Sequence, residues 1–214
     1  MNRPWMLRLG LGAAALIVVA ILLVINFGSG DETTQPSATP LPGTVYDPPQ
    51  AVTDFTLTSQ TGASFHLSEL RGKAVVIFFG YTNCPDVCPV HMANIAAALH
   101  KLPDNVARQV KVVFVTTDPE RDTPEAIRAW LDHFDKRFIG LTGTQAEVDS
   151  AQIAMRIPPA YREEIPGAPY QVGHSAHVIA FTKDGMARFA LPFGTRQSEW
   201  AQEIPRLVAY PGQP

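Results

Sequence analysis

The sequence predicts an α/β domain, in which helices flank a mixed sheet, preceded by an N-terminal transmembrane helix. Residues 73–79 are apolar after Lys73, and residues 110–116 are apolar except for Lys111 and Thr116. Both segments are rich in β-branched and aromatic residues, which is typical of strands buried on both faces. Segments with apolar residues at helical spacing follow them, and this alternation predicts an α/β fold. Residues 9–27 are uncharged, and all but two glycines and one asparagine are apolar.

The N-terminal apolar run is long enough to cross a membrane. About 20 apolar residues span a bilayer, whereas the apolar region of a cleavable signal peptide usually has about 7–15. Arg3 and Arg8 precede the run, and two acidic residues follow it. By the positive-inside tendency we expect residues 1–8 in the cytoplasm, residues 9–27 as a single-pass anchor in the cytoplasmic membrane, and the main domain outside. A cleaved signal peptide is the alternative.

Residues 28–50 have the composition of a linker. They contain five prolines, with glycine, serine and threonine between them. Such a segment cannot bury a core and behaves as a semi-extended tether. Residues 51–214 remain, which is enough for one well-packed domain.

Within this domain, apolar patterns and capping signals place the elements in order. The expected elements are strands 53–58, 64–67, 73–79 and 110–116, helices 90–101, 123–134 and 144–155, strands 178–181 and 186–190, and helix 197–209. Thr123-Pro124 and the capping box that opens at Thr144 are helix starts, and residues 182–185 are a hairpin turn. Because ligands bind beyond the carboxyl ends of strands in such sheets, residues 80–89 become the candidate site.

Composition excludes several classes of protein. A net charge of −3 and an isoelectric point near 6.0 provide no basic surface for nucleic acid. Removing the two arginines of the first thirty residues leaves −5 for the rest of the chain. Two cysteines are too few for a disulfide-rich scaffold or a four-thiolate zinc site.

The two cysteines, Cys84 and Cys88, lie four positions apart directly after the first buried strand. At a junction between a strand and a helix, exposed N–H groups and the helix dipole favour thiolate over thiol. Two such thiolates can form a disulfide, bind a soft metal or attack a substrate. A purely stabilising disulfide would close a very short loop and contribute little.

Three motifs resemble the Sco/SenC family, whose members are membrane-anchored, thioredoxin-like copper proteins that assist assembly of cytochrome c oxidase. The motifs are GYTNCPDVCP at residues 80–89, DPERDTP at residues 118–124 and YQVGHS at residues 170–175. The similarity covers roughly residues 52–209, with the motifs in the family's order. The resemblance implies a thioredoxin-like fold for the outer domain.

The resemblance also implies that Cys84, Cys88 and His174 bind one copper ion, as Cu(I) or Cu(II). Thiolates are soft ligands that select Cu(I), and imidazole suits copper in either state. A structural zinc ion would require a fourth protein ligand. Three ligands leave a low-coordinate site, which suits a metal that must later be transferred.

Other residues are candidates for roles around the metal. Tyr81 and Asp86 are expected to lie beside the cysteines, and Asp118 opens an acidic loop. That loop is either a solvated, capped turn or a recognition surface for a copper donor or an oxidase subunit.

The sequence departs from the family pattern at Gly173, where several members have an acid before the ligand histidine. The group that orients His174 must then be a backbone carbonyl or Asp118. His91 could face the metal from the helix of Cys88, but an exposed surface histidine is the favoured interpretation. The odd spacing of His177 from His174 in an extended segment points it to the opposite face.

The resemblance implies a copper metallochaperone for the binuclear copper centre of an oxidase subunit, served by an upstream copper donor protein. The alternative is a thiol–disulfide oxidoreductase that reduces the subunit's cysteines before metallation, with Cys84 and Cys88 as its redox-active pair. Whether the protein is an enzyme therefore stays open. A peroxidase is disfavoured because the Pro-x-x-x-Thr-x-x-Cys pattern is absent.

Overall fold

The computed structural model describes residues 43–210, in which an eight-stranded mixed sheet is flanked by helices. The strands are β1 (Thr44–Ala51), β2 (Thr56–Ser59), β3 (Ser64–His66), β4 (Ala74–Gly80), β5 (Val110–Thr116), β6 (Ile139–Thr142), β7 (Tyr161–Glu163), β8 (Gln171–Gly173), β9 (Val178–Phe181) and β10 (Met186–Leu191). The helices are α1 (Val87–Lys101), α2 (Asp104–Ala107), α3 (Pro124–Leu131), α4 (Gln145–Ala154) and α5 (Gln197–Ala209). The order of the large sheet is β1-β10-β9-β4-β5-β6-β2-β3, while β7 and β8 form a separate pair.

The central strand β4 is buried along its whole length, as its apolar composition predicts. Its residues alternate between two cores because successive side chains of a strand point to opposite faces. Val76 and Phe78 pack into the core that α1, α3 and α5 cover, and Ile77 and Phe79 pack into the core under α4 and β2. The predicted α/β architecture is confirmed.

Three segments meet beyond the carboxyl end of β4. Strand β5 runs parallel to β4, with Thr116 opposite Gly80, so both strands end at the same edge. Strand β9 runs antiparallel, with Val178 opposite Phe78, so the residues before β9 also lie there. The three segments are residues 81–86, 117–123 and 174–177.

Strand β1 begins inside the segment that composition assigns to the linker, residues 28–50. It pairs with β10 at the edge of the sheet, and the register is irregular between Val45 and Gln50, where both of its prolines lie. Edge strands and bulges tolerate proline because its missing N–H is not needed for the ladder there. The segment that can act as a linker therefore ends near residue 43.

Several element boundaries differ from the predicted ones. Helix α1 starts at Val87 rather than at residue 90, which places Cys88 in its first turn. Strands β6, β7 and β8 were not predicted, since they have only three or four residues each and show no extended alternation. None of the helices between residues 43 and 210 is long and apolar enough to cross a membrane, and the predicted anchor lies outside the described residues.

Candidate metal centre

The cysteine loop, residues 81–88, connects β4 to the first turn of α1. Cys84 is half-buried and Cys88 is completely buried, and both are free thiols. A Cβ on Gly80 would lie 2.7 Å from the Cys88 Sγ atom and 2.8 Å from the Phe78 ring. Glycine at the end of β4 thus leaves the space in which the Cys88 thiol packs against the sheet.

A buried carboxylate, Asp122, fixes the start of the cysteine loop. It accepts hydrogen bonds from the Thr82 N–H (3.0 Å), the Thr82 hydroxyl (2.5 Å) and the Thr116 hydroxyl (2.6 Å). Burial raises the pKa of Asp122, and these hydrogen bonds from Thr116 and Thr82 oppose that shift. The sequence indicates Asp122 only as a member of the acidic loop, although the shared edge of two parallel strands predicts such a contact.

The histidine loop, residues 174–177, carries the third candidate ligand between β8 and β9. The Nδ1 atom of His174 lies 3.0 Å from the Ser175 carbonyl oxygen. Because a carbonyl only accepts, Nδ1 carries the hydrogen, and Nε2 faces the Cys88 Sγ atom at 3.6 Å. The orienting group is therefore a backbone carbonyl. Asp118, the other candidate, is engaged by Tyr170 and Arg121.

The structure brings Cys84, Cys88 and His174 together, with all three ligand atoms within 4.8 Å of one another. Ligands about 2.0–2.3 Å from an ion lie about 3.5–4 Å apart when three of them surround it. The 3.6 Å separation of Cys88 Sγ and His174 Nε2 fits that spacing. Two sulfur donors and one imidazole are a donor set for copper. No other such group of His, Cys, Asp or Glu occurs within residues 43–210.

The two thiols differ in acidity. The pKa of Cys84 is lowered because the Cys88 thiol donates a hydrogen bond to it, and His174 and the N–H groups of Cys88 and Asp86 add to the effect. The pKa of Cys88 is raised by burial and by the adjacent Cys84 sulfur. Before metal binds, the negative charge therefore lies on the accessible sulfur, at the start of α1.

Tyr81, Asp86 and Asp118 occupy three different positions around this group. The buried Tyr81 ring meets the His174 ring edge-on, with 5.7 Å between the ring centroids. Asp86 is exposed at the N-cap of α1, where its side chain makes no capping hydrogen bond. Asp118 is buried and accepts a hydrogen bond from the Tyr170 hydroxyl at 2.9 Å, which links it to the strand before His174.

The favoured interpretation of His91 as an exposed histidine is wrong, because its residue is only 1% exposed. It does not belong to the three-ligand group either. Its Nε2 atom lies 3.0 Å from the Ala176 carbonyl oxygen, and burial lowers its pKa. His177 is exposed and does not belong to the three-ligand group, which agrees with the opposite orientation that its spacing predicted.

The glycine before His174 has a partner on the neighbouring strand. Gly173 pairs with Tyr161 between β8 and β7. A Cβ on Gly173 would lie 2.3 Å from the Tyr161 ring. The ring thus occupies the space that an acidic side chain at this position would need.

A thiol pair and an imidazole at the carboxyl edge of a mixed sheet define a metal-binding protein of the thioredoxin-like class. The SCO1/SenC family model matches residues 44–209. The chain therefore belongs to the SCO1/SenC family.

Solved structures share this fold. ScoI of Bradyrhizobium japonicum, solved with copper bound, is 34% identical, with a TM-score of 0.65 and a match that covers 74% of this chain and all of that one. Apo Sco1 of Thermus thermophilus is 30% identical, with a TM-score of 0.72 over 80% of this chain and 99% of that one. The mitochondrial SCO1 protein of Saccharomyces cerevisiae is 32% identical over 158 residues, which are 72% of this chain and 52% of that protein. Across four other curated relatives the match spans 36–68% of the relative's length.

Proposed function

We propose that the protein is a membrane-anchored, extracytoplasmic copper metallochaperone that delivers copper to the copper-containing subunit of cytochrome c oxidase. The observation that carries this proposal is the grouping of Cys84, Cys88 and His174 within ligand distance. Sco proteins form a family of cytochrome c oxidase assembly proteins, and a relative of this chain has been solved with copper.

The form of the site suits copper as cargo rather than as a permanent cofactor. Three ligands leave the ion open to a further ligand from a recipient protein. Cys84 and His174 are half-buried, so a recipient can reach the ion from their side, while Cys88 holds it from the buried side. Transfer then proceeds by exchange of one ligand at a time.

The proposed location follows from the sequence. Residues 1–8 lie in the cytoplasm, residues 9–27 anchor the chain in the cytoplasmic membrane, and the segment from residue 28 to about residue 43 connects the anchor to the domain. The copper site is then outside the cytoplasm. Copper reaches it from an upstream donor protein.

Titration of Cu(I) into the reduced full-length protein in detergent, in competition with a chelator, tests the proposal. We expect one copper per chain. Cys84→Ser, Cys88→Ser and His174→Ala should each weaken binding, with the serine variants affected most because they lose a soft ligand. The matched control is His177→Ala, which removes an exposed histidine from the same loop. Equal affinity of His174→Ala and wild type would exclude the three-ligand site.

The second candidate function is a thiol–disulfide oxidoreductase that reduces the cysteines of the oxidase subunit. It is favoured by the unequal thiols, since an accessible thiolate at Cys84 beside the buried thiol of Cys88 is the arrangement of an attacking and a resolving cysteine. Incubation with an oxidised peptide carrying the subunit's cysteine pair distinguishes the two. If the wild-type protein bound no copper in the titration but reduced the peptide, the oxidoreductase function would be favoured.

A further inference from the structure

We propose that His91 is a positioning residue that holds the histidine loop, and with it His174, at the distance from Cys88 that copper requires. The inference rests on the proposed function, because it concerns the same copper site. His91 lies outside the three family motifs, and the sequence favoured an exposed surface histidine over one that faces the metal.

The first observation is a hydrogen bond that joins two parts of the site. The Nε2 atom of His91 lies 3.0 Å from the Ala176 carbonyl oxygen, and because the carbonyl only accepts, His91 donates. His91 is on α1, three residues after Cys88, and Ala176 is two residues after His174. The bond therefore connects the helix that carries one ligand to the loop that carries another.

The second observation is that burial and aromatic neighbours hold the His91 ring in one position. It is 1% exposed and packs against Phe78 at 4.8 Å and against Phe193 at 5.6 Å between ring centroids. Phe78 also meets the His174 ring, at 5.8 Å. A donor with so little freedom fixes the position of the carbonyl that it binds.

The third observation is that two successive carbonyl groups of the histidine loop bind the two histidines. The Ser175 carbonyl accepts from His174 Nδ1 and sets the direction of that ring, while the next carbonyl along the chain accepts from His91. Movement of one peptide unit would move the other. Without the His91 donor, the loop loses a bond that holds the orienting carbonyl in place.

The test compares two substitutions of similar size. His91→Leu fills the same space without a donor, and His91→Gln retains an N–H group at similar reach. We expect His91→Leu to weaken Cu(I) binding by about 10–100-fold, which is typical when a residue behind a metal ligand is lost. His91→Gln should remain within about threefold of wild type. Ile95→Val, a change of a buried residue one turn further along α1, is the control for loss of packing alone.

A double substitution separates positioning from general damage. If His91 acts through His174, His91→Leu should cause no further loss of copper affinity in a His174→Ala background. An equal loss in both backgrounds, or wild-type affinity in His91→Leu, would overturn the inference.

A measurement on the copper-free protein keeps the inference independent of metal binding. Backbone nitrogen relaxation measured by NMR should show greater mobility at Ser175, Ala176 and His177 in His91→Leu than in wild type, but no change in His91→Gln and Ile95→Val. Unchanged relaxation, together with unchanged His174 ring resonances, would overturn the positioning role. If the wild type itself bound no copper, the metallochaperone proposal would fail, and this measurement alone would decide whether His91 holds the loop.

Discussion

The cysteine loop and the histidine loop bring the candidate ligands of one site together, but the two loops are held in different ways. The cysteine loop follows a fully buried strand, ends in a helix and is bonded to Asp122. The histidine loop follows the three-residue strand β8, whose partner β7 is exposed. Its contacts to the rest of the site include the approach of His174 Nε2 to Cys88 Sγ, the aromatic edges at His174 and the bond from His91.

This difference indicates which property of the protein, stability or copper binding, depends on each loop. The cysteine loop is held at both ends, by β4 and by α1, and by the buried Asp122 at the edge where β4 and β5 end together. The imidazole depends on individual side chains. Changes near the cysteines should therefore affect folding, while changes near the histidine should affect copper binding with little cost in stability.

The largest expected effect is on the cysteine side. Asp122→Ala removes the acceptor for three hydrogen bonds and leaves the N–H and hydroxyl of Thr82 and the hydroxyl of Thr116 without their partner. We expect a loss of about 2–4 kcal/mol in the free energy of unfolding, measured by urea titration.

Asp132→Ala is the matched control for the loss of an acid. Asp132 pairs with Arg128 at the protein surface, where such a pair contributes about 0–1 kcal/mol. Equal losses in the two variants would show that Asp122 does not hold the cysteine loop.

The next effect concerns the space under Cys88. Gly80→Ala places a Cβ too close to the Cys88 Sγ atom and the Phe78 ring. Overpacking of this kind costs about 1–3 kcal/mol, and it should also weaken Cu(I) binding because the thiol is displaced. Urea and chelator titrations measure the two effects. Wild-type values in both would contradict the packing argument.

A smaller effect is expected on the histidine side. Gly173→Glu restores an acid before His174 and displaces the Tyr161 ring, which is 65% exposed and free to move outward. We expect a stability loss of about 1 kcal/mol or less, and recovery in the double variant with Tyr161→Ala. A loss as large as that of Asp122→Ala would contradict the proposed difference between the two loops.

The last prediction concerns the acidity of the two thiols and leaves the fold unchanged, because only the pH is varied in the wild-type protein. The lowered pKa of Cys84 means that its thiolate persists as the pH falls below about 8.5, the pKa of an ordinary thiol. Iodoacetamide should therefore label Cys84 rapidly between about pH 6 and pH 8, while Cys88 stays unlabelled. Peptide mass spectrometry measures the ratio. In His174→Ala the pKa of Cys84 should be less strongly lowered, because one cause of the shift is gone. As the pH is lowered, its labelling should therefore be lost at a higher pH than in wild type.

In the urea-unfolded protein both cysteines should behave as ordinary thiols, which provides the reference. Equal labelling of Cys84 and Cys88 in the folded protein would contradict the unequal acidity.

The sequence predicts the central strand for a clear physical reason, whereas the three candidate ligands are implied by the resemblance to a known family. A run of β-branched and aromatic residues has few stable environments other than a doubly covered strand. The grouping of the ligands follows from motifs whose order matches the Sco/SenC family. The burial of His91 follows from helical spacing, because it lies three residues after Cys88 and four residues before Ile95 on the buried face of α1, but its polar ring made an exposed position the expectation.

Other features depend on contacts between distant segments. The Tyr161 ring over Gly173 belongs to a three-residue strand that has no periodic pattern to detect. Strand β1 has the composition of a linker, and only its pairing with β10 makes it part of the sheet. Composition describes what a segment can do alone, and here a neighbouring strand changes the outcome.

The pairing of β1 with β10 also shortens the stretch of chain that could connect the domain to the proposed anchor. With the anchor proposed for residues 9–27, a free tether of residues 28–50 would reach about 80 Å from the membrane at full extension, but one that ends at residue 43 reaches only about 55 Å. A shorter linker would keep the domain closer to the membrane and raise its local concentration at the membrane surface. For a recipient embedded in the same membrane, the proposed anchor would make the search nearly two-dimensional.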